Sequence, residues 1–318
     1  MASLKRNLLT FLITFVVSLL VFTLIAIPII AYIRSEIGGN KSGKNEATEQ
    51  SLETEPEENI PISKKVIDGE SFTVLLVGND YLGDNSHSCA DAIMLMRFSC
   101  ETGKAVFLPI PGNTQITLSG STTTLSDFYN TKCKTEYDSR DVSVLEAKIE
   151  EITGCNIDYY ICTSLSANSV GKLVDSIGGV EFFVPYDMKE SIPASKFEID
   201  LDKGKQTLDG EEATAMLRYL DDKDYESRNA LCADFISVLL SNCTRKILDT
   251  QVISTFESLG TKTNITEEVI NKYLATVYKY NEFEEIFLTY PGDYQTIDGS
   301  VWFYSDNYKA KEMLKQYN

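Results

Sequence analysis

Two aspartates and two arginines carry the chemistry this sequence offers. Asp80 closes Gly78-Asn79-Asp80 directly after a β-rich run, and Asp91 stands immediately before another, Ala92–Phe98. In open α/β sheets ligands collect beyond the carboxyl ends of strands, which is where Asp80 falls. Two carboxylates brought together there would take Mg²⁺, an ion bound through one or two acidic side chains plus phosphate oxygens. Each aspartate by itself also reads as an ordinary turn residue. Arg218 closes a short capped helix. Arg228 falls in the first turn of a longer one, the wrong end for a cation in a helix dipole field. A local rule broken in this way points to function; a solvated arginine is the plain alternative.

Composition narrows the chemistry further. The 318 residues include 47 acidic and 29 basic side chains, a net charge of −18. Such a chain repels nucleic-acid phosphate, so DNA or RNA is not an expected partner. His87 is the single histidine, which excludes a two-histidine zinc site and leaves one residue for any Ser-His or Cys-His mechanism. Neither phosphate-loop motif, GxxxxGK[ST] or GxGxxG, occurs. The seven cysteines are scattered and never spaced CxxC. They read as reduced, buried thiols, with a disulfide or two possible in an oxidising medium.

The elements that must position these residues follow from hydrophobic period. Ser71–Gly78, Ala92–Phe98, Val106–Ile110, Ile157–Cys162 and Val180–Val184 read as strands, several as continuous apolar runs buried on both faces. Val142–Ile152 is an amphipathic helix stopped by Gly154. Ser164–Ile177 is a second, with Leu165, Val170, Leu173, Val174 and Ile177 inward. Asp209 and Glu212 form a capping box for a helix to about Tyr219, and Tyr225–Leu248 is a longer helix burying Leu231, Phe235, Val238 and Leu239. Thr266–Tyr280, the short strands Glu285–Thr289 and Ser300–Tyr304, and a terminal helix Asn307–Tyr317 complete the chain. Strands alternating with helices predict a layered α/β domain over residues 66–318.

The segment before it is different. Leu8–Ile33 runs 26 residues without a charge. As a helix it spans roughly 39 Å, more than a bilayer core of roughly 30 Å. It reads as one uncleaved transmembrane anchor behind a short cytoplasmic tail, residues 1–7. Lys5 and Arg6 on one side nearly balance Arg34, Lys41 and Lys44 on the other, so flanking charge leaves the orientation open. Residues 34–65 are polar, with six glutamates and no basic residue between Glu46 and Glu58, and read as a flexible acidic stalk.

Four segments together resemble one family. FTVLLVGND (Phe72–Asp80), NIDYYICTSLSANSVGKLVDSIGGVEFFVPYDM (Asn156–Met188), GKQTLDGEEATAMLRY (Gly204–Tyr219) and TYPGDYQTIDGSVWFY (Thr289–Tyr304) are similar to the LytR-CpsA-Psr (LCP) domain, as is the anchor-plus-stalk layout. The resemblance implies a layered α/β/α domain with a central mixed sheet and an apolar lipid pocket, held outside the cell membrane by its single anchor. It implies transfer of a glycopolymer from a polyprenyl-pyrophosphate carrier onto peptidoglycan, with arginines holding the pyrophosphate and two aspartates holding Mg²⁺. On this matching Asp80 and Asp91 are the metal pair, and Arg218 and Arg228 belong to the phosphate clamp.

The chain also departs from the pattern. The family's Arg-Ser-Asp is Cys89-Ala90-Asp91, and its Ile-Pro-Arg-Asp is Ile110-Pro111-Gly112-Asn113. The second arginine of Arg-Tyr-Arg is Leu220. The Arg-x-x-Arg-Gln segment becomes Arg228-Asn229-Ala230-Leu231-Cys232, and the preceding aspartate aligns with Tyr225, flanked by Asp224 and Glu226. Each preorganised charge donor lost from such a site costs on the order of 10²–10³ in rate. Three readings follow: a protein that binds the lipid-linked glycopolymer but catalyses weakly, a fully active Mg²⁺-dependent phosphotransferase with Arg97 or Lys132 compensating, and a non-catalytic structural or regulatory ectodomain. Enzyme status stays open at this point.

Overall fold

The computed structural model of the chain describes residues 69–81, 88–118, 120–132, 141–164, 167–192, 197–221, 224–245 and 261–317. The chain divides into two units, Met1–Pro61 and Ile62–Asn318. The first unit, which holds the expected anchor and most of the expected stalk, lies outside the described residues, as do His87 and Leu165.

The second unit is built on a six-stranded mixed sheet. Its centre is the antiparallel run β1 (Phe72–Tyr81), β2 (Ser88–Ser99) and β3 (Lys104–Ile110). β6 (Tyr159–Ser164) lies parallel to β1, and β12 (Glu284–Phe287) lies parallel to β3. The two-residue β11 (Lys262–Thr263) pairs antiparallel with β6 at the other edge.

The apolar runs in β1 and β2 are continuous because both sheet faces are covered. Leu75, Val77, Ile93 and Leu95 pack on one face against α1 (Leu125–Lys132), α2 (Val142–Thr153) and α7 (Asn307–Leu314). Val74, Met94, Met96 and Phe98 pack on the other against α3 (Lys172–Ser176), α4 (Gly210–Arg218), α5 (Tyr225–Arg245) and α6 (Glu267–Tyr278). The strand period of two sorts these side chains between the faces. The layer under α4 and α5 is filled by Val174, Phe182, Met216, Phe235 and Leu239. Burial of each large side chain there contributes roughly 1.5–3 kcal/mol.

Local signals place most helices where the sequence predicts them. Asp141 caps α2, and Gly154 ends it in the left-handed conformation at φ 71°. The capping box of α4 is formed in both directions: Asp209 accepts from the Glu211 and Glu212 amides, and the Asp209 amide donates to Glu212 Oε2. The expected single helix over Ser164–Ile177 is different. Residues Ala167–Gly171 form a π turn, and only Lys172–Ser176 is α-helical. The reason is a close backbone crossing: a Cβ on Gly210 would lie 2.2 Å from the Gly171 carbonyl oxygen. Widening the helix there lets the two backbones meet.

Several short strands were not legible in the sequence. These are β4 (Gln115–Leu118) and β5 (Ser121–Thr124), which pair with each other, β8 (Met188–Ile192) and β9 (Phe197–Leu201), which pair likewise, β10 (Gly204–Leu208), which pairs with the expected β7 (Val180–Val184), and β13 (Gly292–Ile297), which pairs with the expected β14 (Ser300–Ser305). The unforeseen strands are short and largely polar, and tertiary packing holds them. No helix among the described residues is long and apolar enough to cross a membrane.

Candidate functional site

The two arginines meet at the corner between α4 and α5. Arg218 is the last residue of α4, and Arg228 is the fourth of α5. The Arg228 Nε donates to the Leu217 carbonyl at 3.2 Å, and the Cys232 thiol reaches the same oxygen at 3.9 Å. Leu217 O is one of the terminal carbonyls that α4 leaves without an intrahelical partner. A cation at the unfavourable end of α5 is therefore at the favourable end of α4. The local anomaly in the sequence has a structural explanation. The terminal amino groups of Arg228 have no protein partner among the described residues. Both arginines are half-buried.

α4 is itself fixed at its start. The Gly210 amide donates to Asp175 Oδ1 at 2.8 Å, so the Leu-Val-Asp-Ser segment docks on the first turn of the Leu-Asp-Gly-Glu segment. This ties two of the resemblance segments, Asn156–Met188 and Gly204–Tyr219, together and sets where Arg218 emerges.

The strands bearing the aspartates are longer than expected. Asp80 lies inside β1 and Asp91 inside β2 rather than beyond their ends. Gly78 pairs with Ala92 and Asn79 with Ala90, so Asp91 is the extra residue of a β-bulge, while Asp80 stands opposite Cys89. The register brings both backbones to one end of one hairpin. Their side chains lie outside the described residues. The donor chemistry fits Mg²⁺, which takes hard carboxylate oxygens. Among the described residues no group of three His, Cys, Asp or Glu side chains gathers as a metal site.

The backbone beneath Asp80 is anchored by Asn79, which is 6% exposed. Its Nδ2 donates to Tyr129 Oη at 3.2 Å and to Cys162 Sγ at 3.1 Å, and those two atoms are 3.1 Å apart. One buried side chain thus links β1 to α1 and β6 beside the bulge. The sequence marked Asn79 only as part of a turn.

The substituted clamp positions divide by burial. Leu231 and Cys232 are 4% and 6% exposed and belong to the apolar core, and burial raises the Cys232 thiol pKa. Gly112 and Leu220 are half-buried. Asn113 donates through Nδ2 to the Val301 carbonyl at 3.2 Å, tying this turn to β14. Arg97 cannot compensate for the missing arginines. Its Nε donates to the Tyr317 carbonyl and its Nη1 to Thr73 Oγ1 at 3.0 Å, at the opposite end of β2 from Asp91. Lys132 is the last residue of α1, and its side chain lies outside the described residues.

A cleft of about 470 Å³ opens beside the arginine corner. One wall is the first half of α5 with Asp224, Glu226 and Asp234; the other carries Phe287, Tyr290, Tyr294 and Phe303. Asp224 caps α5, accepting from the Ser227 amide at 3.0 Å and from its hydroxyl at 2.5 Å, which lowers the Asp224 pKa. Burial, and then the nearby charge of Glu285, raises that of Asp234. Tyr294 stacks on Tyr225 at 5.9 Å and accepts from Asn229 Nδ2 at 3.2 Å. Only the acidic residues flanking Tyr225 hint at this cleft in the sequence.

The model of the LytR_cpsA_psr family matches residues 35–318. The chain belongs to this family. An uncharacterised protein of Staphylococcus aureus (strain NCTC 8325 / PS 47) is 23% identical to it over 275 residues, 84% of this chain and 65% of the relative. The polyisoprenyl-teichoic acid–peptidoglycan teichoic acid transferases TagV and TagT of Bacillus subtilis (strain 168) are 26% identical over 150 residues and 28% identical over 155, covering 46% and 47% of this chain. This LCP chain thus spans 37% and 45% of those two relatives' lengths. The fold matches that of the B. subtilis TagV crystal structure at a TM-score of 0.62 and 18% identity, covering 79% of this chain and 98% of that one. A structure of TagT bound to LI-WTA superposes at 0.60 and 20% identity, covering 78% and 89%.

Proposed function

We propose that this LCP member binds a polyprenyl-pyrophosphate-linked glycopolymer at the α4–α5 corner and takes part in attaching it to peptidoglycan, with slow transfer. The observation carrying this reading is the state of the clamp. Arg218 and Arg228 stand at one corner with Arg228's terminal amino groups available, while Leu231 and Cys232 have joined the core. Arginine holds a pyrophosphate through bidentate, charge-assisted hydrogen bonds, so the two that remain support binding. Phosphoryl transfer depends on positioned charge around the transferring group, and that is what the chain has lost.

In this reading Asp80 and Asp91 hold Mg²⁺, which when bound neutralises charge on the phosphate oxygens. The prenyl chain enters the apolar layer between the sheet and α5, where Met94 and Met96 are adaptable enough to give way. Leu8–Ile33 anchors the domain on the outer face of the cell membrane through the acidic stalk. The second reading is a fully active transferase, favoured by the similarity to chains named as teichoic acid transferases.

The deciding experiment pairs two assays on the detergent-purified full chain. One measures binding of a fluorescent polyprenyl pyrophosphate; the other measures transfer of a labelled lipid-linked glycan to peptidoglycan. Wild type should bind and transfer slowly, and Arg218→Ala should weaken binding by at least about tenfold. Gly112→Arg with Cys89→Arg should raise transfer more than affinity, because these donors act on charge that develops during the reaction. Fast wild-type transfer would select the second reading. Undiminished binding by Arg218→Ala would remove the clamp.

A further inference from the structure

The layer between the sheet and α1 and α2 holds an amide that packing does not require. Leu75, Val77, Ile93, Leu95 and Leu108 form the apolar face there, and Asn79 lies against it, buried among Tyr129 and Cys162. Its Nδ2 gives hydrogens to Tyr129 Oη and Cys162 Sγ, and sulfur is a weak acceptor. Its Oδ1 is buried and has no partner among the described residues. Turning the amide over would leave an unpaired N–H in the same place. A buried amide end without a hydrogen bond costs roughly 1–3 kcal/mol. A valine at this position would avoid that cost, and Tyr129 Oη and Cys162 Sγ, 3.1 Å apart, would still pair with each other. Stability therefore does not account for Asn79.

We infer that Asn79 is a positioning residue for the carboxylate pair Asp80 and Asp91. The inference rests on the proposed Mg²⁺ role of those two residues. The ladder between β1 and β2 shifts register between Gly78 and Asn79, and a bulge locally disrupts the pairing. On the other side of β1, the parallel ladder to β6 ends at the Asn79–Ser164 pair. Asp80 is thus the residue at which β1 has lost the β6 ladder and faces a bulge in β2. Backbone hydrogen bonds hold the hairpin least where its two aspartates lie. The Asn79 side chain supplies what the ladders lack there. It ties the end of β1 to α1 through Tyr129, which is 1% exposed, and to β6 through Cys162, which is 4% exposed. Two packed elements thereby fix the backbone from which Asp80 departs. Mg²⁺ demands near-ideal octahedral geometry from few protein ligands, so it is sensitive to where each carboxylate starts. Groups that orient metal ligands without touching the ion are worth roughly 10–100-fold in metal affinity.

The test is a Mg²⁺ titration of the detergent-purified full chain in the presence of geranylgeranyl pyrophosphate, with the melting temperature recorded at each concentration. It reads two quantities: the metal-free melting temperature, and the Mg²⁺ midpoint of the lipid-dependent rise. Asn79→Val should hold or raise the first and raise the second roughly tenfold. Tyr129→Phe removes one of the two ties at nearly constant volume. It should raise the midpoint by a smaller factor, and it decides the matter if the valine variant does not fold. Ile149→Val trims the same apolar layer away from the bulge, so it should lower the metal-free melting temperature and leave the midpoint alone. An unchanged midpoint in Asn79→Val, or in Tyr129→Phe where the valine variant does not fold, overturns the inference. So does an equal rise in Ile149→Val, which would mean a general loosening of the layer. Asp80→Ala separates this inference from the function it rests on. If that variant loses the lipid-dependent rise while Asn79→Val keeps the wild-type midpoint, only this inference falls. If wild type shows no rise, or Asp80→Ala keeps it, the proposed metal pair falls and this inference with it.

Discussion

Arg228 shows how one side chain can be structural and functional at once. Its Nε is committed to the Leu217 carbonyl, which fixes the guanidinium plane and leaves the other edge to face a ligand. Leu231 shows the opposite fate. A position that carries arginine in the family pattern is here 4% exposed, so an arginine restored there would be a buried, unpaired charge. That is why Leu231 is left out of the positions to restore, whereas Gly112 is only half-buried. Asp80 has its own prediction. Because Mg²⁺ binds mainly through phosphate and water, it should raise the melting temperature only when a polyprenyl phosphate is present. The rise should be roughly 5 °C at saturating ligand. Asp80→Ala should remove that increment, as a thermal shift series with and without lipid would show; an unchanged increment would refute the pairing with Asp91.

At the scale of elements, the site depends on where α4 begins. The π turn at Ala167–Gly171 and the first residue of α4 cross with their backbones in contact, and Asp175 accepts the Gly210 amide. A methyl group at Gly210 would overlap the Gly171 carbonyl and the Asp175 carboxylate. Gly210→Ala should therefore cost about 1–3 kcal/mol of stability, the range for overpacking a tight contact. It should also weaken lipid binding, because α4 carries Arg218 at its other end. Chemical denaturation read beside the lipid-binding assay checks both parts. Wild-type stability in the alanine variant would mean that the crossing is looser than described.

At the scale of the whole molecule, a sheet covered on both faces is a rigid platform. It presents the β1–β2 bulge, the α4–α5 corner and the acidic cleft around one side of α5. The proposed setting is outside the cell membrane, with the net charge of −18 keeping the domain clear of nucleic acid. Protease added to intact, wall-stripped cells should cut between Glu46 and Glu58 and release the domain. Protection until the membrane is permeabilised would reverse the orientation.

The sequence by itself determined five of the six strands of the central sheet, all but the two-residue β11, together with the helices with strong caps and the family. These are encoded locally: a continuous apolar run needs two covered faces, and Asp209-x-x-Glu212 or Gly154 needs only its neighbours to form a cap. It also identified Asp80, Asp91, Arg218 and Arg228 as the residues to watch. Only the tertiary structure decided what surrounds them. The bulge at Asp91 depends on register with β1, and the partner of Arg228 lies on a different helix. The π turn exists because Gly210, 39 positions after Gly171, presses against it. The cleft joins α5 to strands more than fifty residues later, and no local pattern carries that juxtaposition. Contacts between distant segments come from packing free energy summed over the domain, and short-range periodicity records only which face of each element takes part.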